Sequence, residues 1–175
     1  MTFQTFQIMN RKVVNNKSFS QLYGKKKMTS FREILNETSI TTVKPKNKFE
    51  LIDIIEETID DEGYNCSLNF IDTSLIKDMR SLFFESNFNG DISKWDVSRV
   101  ENMSWMFYGS DFNGDISEWN VSKVENMEYM FAHSVFNKDI SKWNVSNVSK
   151  VKNMKGMFHN CPLDKKPDYQ PTFNF

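Results

Sequence analysis

Three aspartates stand 24 residues apart, Asp91, Asp115 and Asp139. Stacked turns would bring their carboxylates to within about 5 Å of one another, close enough to share a hard cation. The competing use is local, because an aspartate in an Asn-Gly-Asp turn accepts hydrogen bonds from its own backbone. With one carboxylate offered per turn, the local use is preferred. The parallel column Asp96, Asn120 and Asn144 is expected to form an amide ladder and no catalytic site. The only histidines, His133 and His159, fall where other units carry Gly109 or Tyr108. A metal or general-base site needs convergent partners that neither has. There is no phosphate-cradling Gly-rich loop and no Gly-x-Ser-x-Gly. The chain is read as non-enzymatic, with no catalytic residues, no metal and no cofactor.

The elements that carry these columns repeat. Units begin at Tyr64, Phe88, Phe112 and Phe136 and span 64–87, 88–111, 112–135 and 136–162, the last lengthened by three residues near Val148-Ser149-Lys150. One unit reads Phe112-Asn113-Gly114-Asp115-Ile116-Ser117-Glu118-Trp119-Asn120-Val121-Ser122, then Val124-Glu125-Asn126-Met127, then Met130-Phe131. Asn-Gly-Asp is a turn signal, read here as glycine and asparagine tolerating positive φ. Ile-Ser-x-Trp-x-Val alternates like a half-buried strand. Val100, Met103, Met106 and Phe107 are spaced as one face of a short helix, and Ser98 with Glu101, or Ser122 with Glu125, has capping-box spacing. A single such unit cannot bury its own apolar face, so the units must stack. The fold class predicted is α/β: a leucine-rich-repeat-like solenoid of four strand–helix units with a parallel sheet.

Around the repeats the chain divides into a basic arm (1–27), an N-terminal cap (28–63) and a tail (163–175). The cap comprises a short helix, an edge strand over Ser39 to Lys46, and an amphipathic helix over Lys48 to Glu62 with Phe49, Ile52, Ile55 and Ile59 on one face. Gly63 ends that helix. Phe173 and Phe175 are placed over the last coil. At 39% hydrophobic and 26% charged, the 175 residues are neither membrane-spanning nor wholly disordered. The excess of Phe (16), Met (10) and Trp (4) is the ladder of stacked positions. The arm holds Arg11, Lys12, Lys17, Lys25, Lys26 and Lys27 and no acid, and no secretory apolar region. Gly24-Lys25-Lys26-Lys27 before Met28 also fits a translated ribosome-binding stretch, making Met28 an alternative start. With no signal peptide or lipobox the default location is cytoplasmic. Cys66 and Cys161 fall several coils apart, too far for a disulfide.

The repeat words Phe-Asn-x-Asp-Ile-Ser-x-Trp-Asp/Asn-Val-Ser-x-Val-x-Asn-Met-x-x-Met-Phe resemble the BspA-like leucine-rich repeats of bacterial surface proteins. Such repeats also occur in mycoplasma surface lipoproteins and in phage or mobile-element proteins. The resemblance covers 64–161 and implies a scaffold for binding or adhesion, while the missing export signals set this chain apart from the surface members. Function is then expected where the units differ: Lys94, Glu118 and Lys142 beside the strand, Arg99 and Lys123 after it, and Trp105, Tyr108 and Tyr129 on the helix. The three aromatics either form an exposed patch or pack on one another across coils. The preferred partner is an unidentified protein, with self-association through the C-terminal sheet edge as a further possibility. The alternatives are nucleic-acid binding through the basic arm and a fragment of a surface adhesin.

Overall fold

The computed structural model describes residues 42–146 and 151–172. The basic arm, Met28, the short helix of the cap, the first three residues of the edge-strand segment (Ser39, Ile40 and Thr41), Val148-Ser149-Lys150, and Phe173 and Phe175 lie outside them.

Each repeat closes one coil, and short polar side chains make its corners. At every corner a side-chain oxygen accepts the N–H two residues on, an Asx turn. In the second coil the corners are Asp91 to Ser93 (2.9 Å), Asp96 to Ser98 (3.0 Å) and Asn102 to Ser104 (2.9 Å). The third coil repeats them at Asp115, Asn120 and Asn126. In the first coil Ser67 takes the first corner and Asp72 and Asp78 the others. Between the corners at Asp91 and Asp96 the chain turns again, with the N–H of Trp95 donating to the Ile92 carbonyl at 3.1 Å. A strand cannot run through such a sequence of bends.

The segment expected as a helix is a ribbon of overlapping turns. Its amides alternate in direction. Those of Met103, Trp105, Phe107 and Gly109 donate to Asn126, Glu128, Met130 and Ala132 of the next coil at 2.8–2.9 Å, while those of Met106, Tyr108 and Ser110 donate three residues back at 3.2–3.3 Å. Met79 to Ser86 and Met127 to Ser134 repeat the pattern. The alternation requires left-handed backbone at two places per ribbon: Ser81 and Glu85, Trp105 and Gly109, Tyr129 and His133, Gly156 and Asn160, with φ between 50° and 61°. An α-helix admits neither the outward amides nor these dihedrals.

The predicted fold class is therefore overturned. Among the described residues there is one α-helix and no strand, and the parallel contacts are isolated bridges, Val43 with Ile71, Ser67 with Asp91, Asp78 with Asn102 and Asn102 with Asn126. There is no parallel sheet and no strand–helix unit, and the Ser98–Glu101 capping box does not exist. Where the edge strand was expected, Val43 makes a single bridge.

Side chains inside the coils form continuous columns. Phe88, Phe112 and Phe136 stack at 6.2 Å, Phe83, Phe107, Phe131 and Phe158 at 5.5–6.1 Å, and the two columns interlock at 4.2–4.6 Å. In the second to fourth coils Trp follows the first corner, where the first coil has Ile71, and its ring N–H crosses coils. Trp95, Trp119 and Trp143 donate to the carbonyls of Leu68, Ile92 and Ile116 at 2.9, 3.3 and 3.0 Å, satisfying buried acceptors of the preceding coil. Cys66 and Cys161 are both buried in this core and are not joined to each other by a disulfide.

Helix α1, Lys48–Glu62, closes the N-terminal end. Its start is capped: Asn47 Oδ1 accepts from Phe49 N and Glu50 N, and the Glu50 carboxylate accepts from Lys46 N, one residue before the cap, at 2.8 Å. Gly63, at φ 85°, donates its N–H to Ile59 O. The buried face is Leu51, Ile54, Ile55 and Thr58, with Ile52 and Ile59 partly buried. Phe49, expected on that face, is half exposed. Lys48, whose pKa burial lowers, donates to the Arg80 carbonyl of the first coil. At the other end the tail makes two short 3-10 turns, Pro162–Lys165 and Pro167–Tyr169. It is fixed by buried Leu163 and by the Ile140 N–H bonded to Tyr169 O at 3.0 Å. No helix among the described residues is long and apolar enough to cross a membrane.

Candidate interaction surface

The three aromatics singled out from the repeat are brought together on the outer side of the turn ribbon. Trp105 lies 4.9 Å from Tyr108 and 4.6 Å from Tyr129, ring centre to ring centre. They pack across coils and remain partly exposed at once. Sequence reasoning missed the rest of the stripe. Phe84 stacks on Tyr108 at 5.0 Å, His133 meets Tyr108 edge-on at 5.2 Å, and His159 meets His133 at 5.2 Å. Asn160 Nδ2 lies 3.0 Å from His133 Nδ1. The signal was available: Phe84, Tyr108 and His159 share one register of the repeat, and Gly109 and His133 the next. The stripe ends where Gly156 leaves room for the Tyr129 ring, which a Cβ there would meet at 2.4 Å.

Lys94, Glu118 and Lys142 are exposed on successive coils, as are Arg99 and Lys123. The structure does not bring these five into the aromatic stripe, and among the described residues none of them makes an ion pair within 4 Å.

The aspartate column is engaged locally. Asp91, Asp115 and Asp139 accept the N–H of Ser93, Ser117 and Ser141 at 2.9–3.0 Å, and these backbone bonds lower the carboxyl pKa values. Among the described residues no three His, Cys, Asp or Glu side chains are grouped to hold a metal ion. Asp96, Asn120 and Asn144 likewise serve their own corners, bonding to Ser98, Ser122 and Ser146. The amide ladder expected of them runs elsewhere: Asn89 Oδ1 accepts from Asn113 N at 2.8 Å, and Asn113 Oδ1 from Asn137 N at 2.9 Å.

These corners make stability acid-sensitive. Hydrogen bonding from Ser98 depresses Asp96, and hydrogen bonds from Ser74 and then Lys44 hold Asp72 at about 2. A carboxylate depressed in the folded state stabilises above its unfolded value near 3.9 and ceases to as pH falls through the folded one. Urea midpoints are therefore expected to be flat from pH 7 to 5 and to fall between about pH 4 and 2. Asp96→Asn keeps the acceptor that Asn120 and Asn144 already supply in later coils, so it should leave the midpoint at pH 7 nearly unchanged and reduce the acid loss. Asp96→Ala removes the corner and should cost about 1 kcal/mol at pH 7.

One family matches the chain, over residues 54–168, and its description reads "Mycoplasma protein of unknown function, DUF285". No curated protein and no solved structure matches.

Proposed function

The chain belongs to the DUF285 family of mycoplasma proteins, and from that premise we propose that it is a non-enzymatic protein-interaction module whose partner docks on the aromatic stripe. The observation that carries this reading is the backbone beneath Trp105 and Tyr129. Both are left-handed, at φ 61° and 52°, a conformation uncommon for bulky residues that costs on the order of 1 kcal/mol each. Glycine is the cheapest occupant of such a place, and Gly156 occupies the equivalent position of the fourth coil, Ser81 that of the first. Holding a tryptophan and a tyrosine there, partly exposed and stacked, fits an anchor for a partner, since large rigid rings dominate interface energetics. The likeness of the repeat words to BspA-like surface repeats supports a binding or adhesive role for such a scaffold.

The reading separates binding from folding. Trp105→Gly and Tyr129→Gly lose ring packing but relieve the backbone, so urea unfolding should stay within about 1 kcal/mol of the parent chain. Capture from an extract of the source cells should lose the specific partner at least tenfold with either substitution. It should keep that partner with Glu118→Ala or Lys142→Ala, which lie off the stripe. A partner retained by the Trp105→Gly/Tyr129→Gly double variant overturns the proposal.

A further inference from the structure

The two ends of the stack are finished differently. In the first three coils the ribbon amides at three equivalent positions (Ser81, Trp105, Tyr129; Phe83, Phe107, Phe131; Glu85, Gly109, His133) donate to carbonyls of the following coil. In the fourth coil those positions are Gly156, Phe158 and Asn160, and their N–H groups have no hydrogen-bond partner among the described residues. Gly156 and Phe158 border an open cavity of about 310 Å³, lined also by Met154, Met157, His159 and Asp164. The asparagine ladder stops at the same end. Asn89 and Asn113 each accept an N–H from the next coil, whereas Asn137 Oδ1, already buried, has no partner among the described residues.

We infer that the open ribbon edge at this end, beside the tail whose Tyr169 carbonyl already takes the Ile140 N–H, is a docking site for the turn ribbon of a repeat unit of another polypeptide. The occupant must offer backbone carbonyls at every second residue in the ribbon conformation, continuing the contact each coil already makes with its successor. In the second unit those carbonyls are Ser104, Met106 and Tyr108, which accept from Ser81, Phe83 and Glu85 at 3.0, 2.9 and 2.7 Å. Two copies of this chain meeting end to end at this face would set donors against donors. Head-to-tail stacking meets a first coil across which α1 lies, with the Arg80 carbonyl already taken by Lys48. The self-association expected through a C-terminal sheet edge accordingly has neither a sheet nor complementary groups, and the fitting partner is an uncapped repeat segment of a different protein. This mode is the turn-ribbon counterpart of strand addition to an open edge. It borders the stripe at His159 and Asn160 but makes no use of the Trp105, Tyr108 or Tyr129 rings.

The test uses the full chain and a synthetic peptide of residues 88–111 as the probe, followed by residue-resolved amide exchange. In the free chain the amides of Gly156, Phe158 and Asn160 should exchange at least tenfold faster than those of Trp105, Phe107 and Gly109. Saturating peptide should slow these three by at least tenfold, and a scrambled peptide should not. Trp105→Gly should leave the protection intact, which distinguishes this face from the stripe. Slow exchange of the three amides in the free chain, or equal protection by the scrambled peptide, or no protection by the repeat peptide, overturns the inference.

Discussion

Phe107→Ala is expected to lower the free energy of unfolding by about 3–5 kcal/mol, the range for removing a large ring from a core that only partly collapses around the gap. Phe107 is fully buried and stands at the crossing of both columns, 5.6 Å from Phe83, 4.4 Å from Phe112, 5.5 Å from Phe131 and 6.4 Å from Trp119. Each coil contacts only its neighbours, so loss at the second coil weakens the interfaces on both sides of it. Phe158→Ala, at the end of the same column with Phe131 as its stacking partner, should cost about half as much. Equilibrium urea unfolding of the two variants checks the ratio. Equal losses would mean that the columns do not carry stability along the stack.

The second large effect is at a glycine. In Gly90→Ala the new Cβ would lie 1.9 Å from the Cys66 carbonyl oxygen and 2.7 Å from the Phe88 ring. The ring can turn away but the carbonyl cannot, because it accepts the Asp91 N–H at 3.2 Å and belongs to the contact between the first two coils. A loss of about 3 kcal/mol is expected, at the upper end of ordinary overpacking. Gly114→Ala is the control. Its Cβ would meet the Phe112 ring at 2.8 Å, but the nearest backbone atom, Gly90 O, stands at 3.4 Å, and about 1 kcal/mol should suffice. The fourth unit already carries Lys138 at this position. Thermal or urea midpoints that fall equally for the two alanines would show that the close approach to Cys66 is not what requires glycine.

That glycine also shows what could be read from the chain alone. The 24-residue period, the columns of Phe, Met, Trp, Ile and Val, and the bounds of α1 were all legible, because burial follows residue type and period whatever the local conformation. Conformation was not legible. Val100, Met103, Met106 and Phe107 are buried together, as a helix face would be, but spacings of three and four also suit successive turns that alternate inward and outward amides. The turn signal Asn-Gly-Asp was read as a demand for positive φ, yet Gly90 and Gly114 are absent from the left-handed positions, which in the ribbons fall at Ser81, Glu85, Trp105, Gly109, Tyr129, His133, Gly156 and Asn160. The clue lay in one column that mixes Gly109 with His133 and Asn160, residue types that tolerate left-handed backbone. Of the candidate site, Trp105, Tyr108 and Tyr129 were found because they vary against a constant scaffold. Phe84 and the two histidines were passed over: their register was open to reading, but contact between rings of successive coils shows only once the coils are stacked.

The ribbon bonds also determine how such a chain can change length. They join backbone to backbone from residue i to i+23 in the first two coils and, past the three added residues of the fourth unit, from i to i+26, as in Met127 N to Asn153 O. Insertion between the last Asx corner at Asn144 and the ribbon at Asn153 thus leaves the pairing of every ribbon position unaltered. A residue gained or lost inside the ribbon would instead set outward amides against the wrong neighbours along its whole length. Lineages of this scaffold should therefore vary in length between those two positions and otherwise grow or shrink by duplication and loss of whole units.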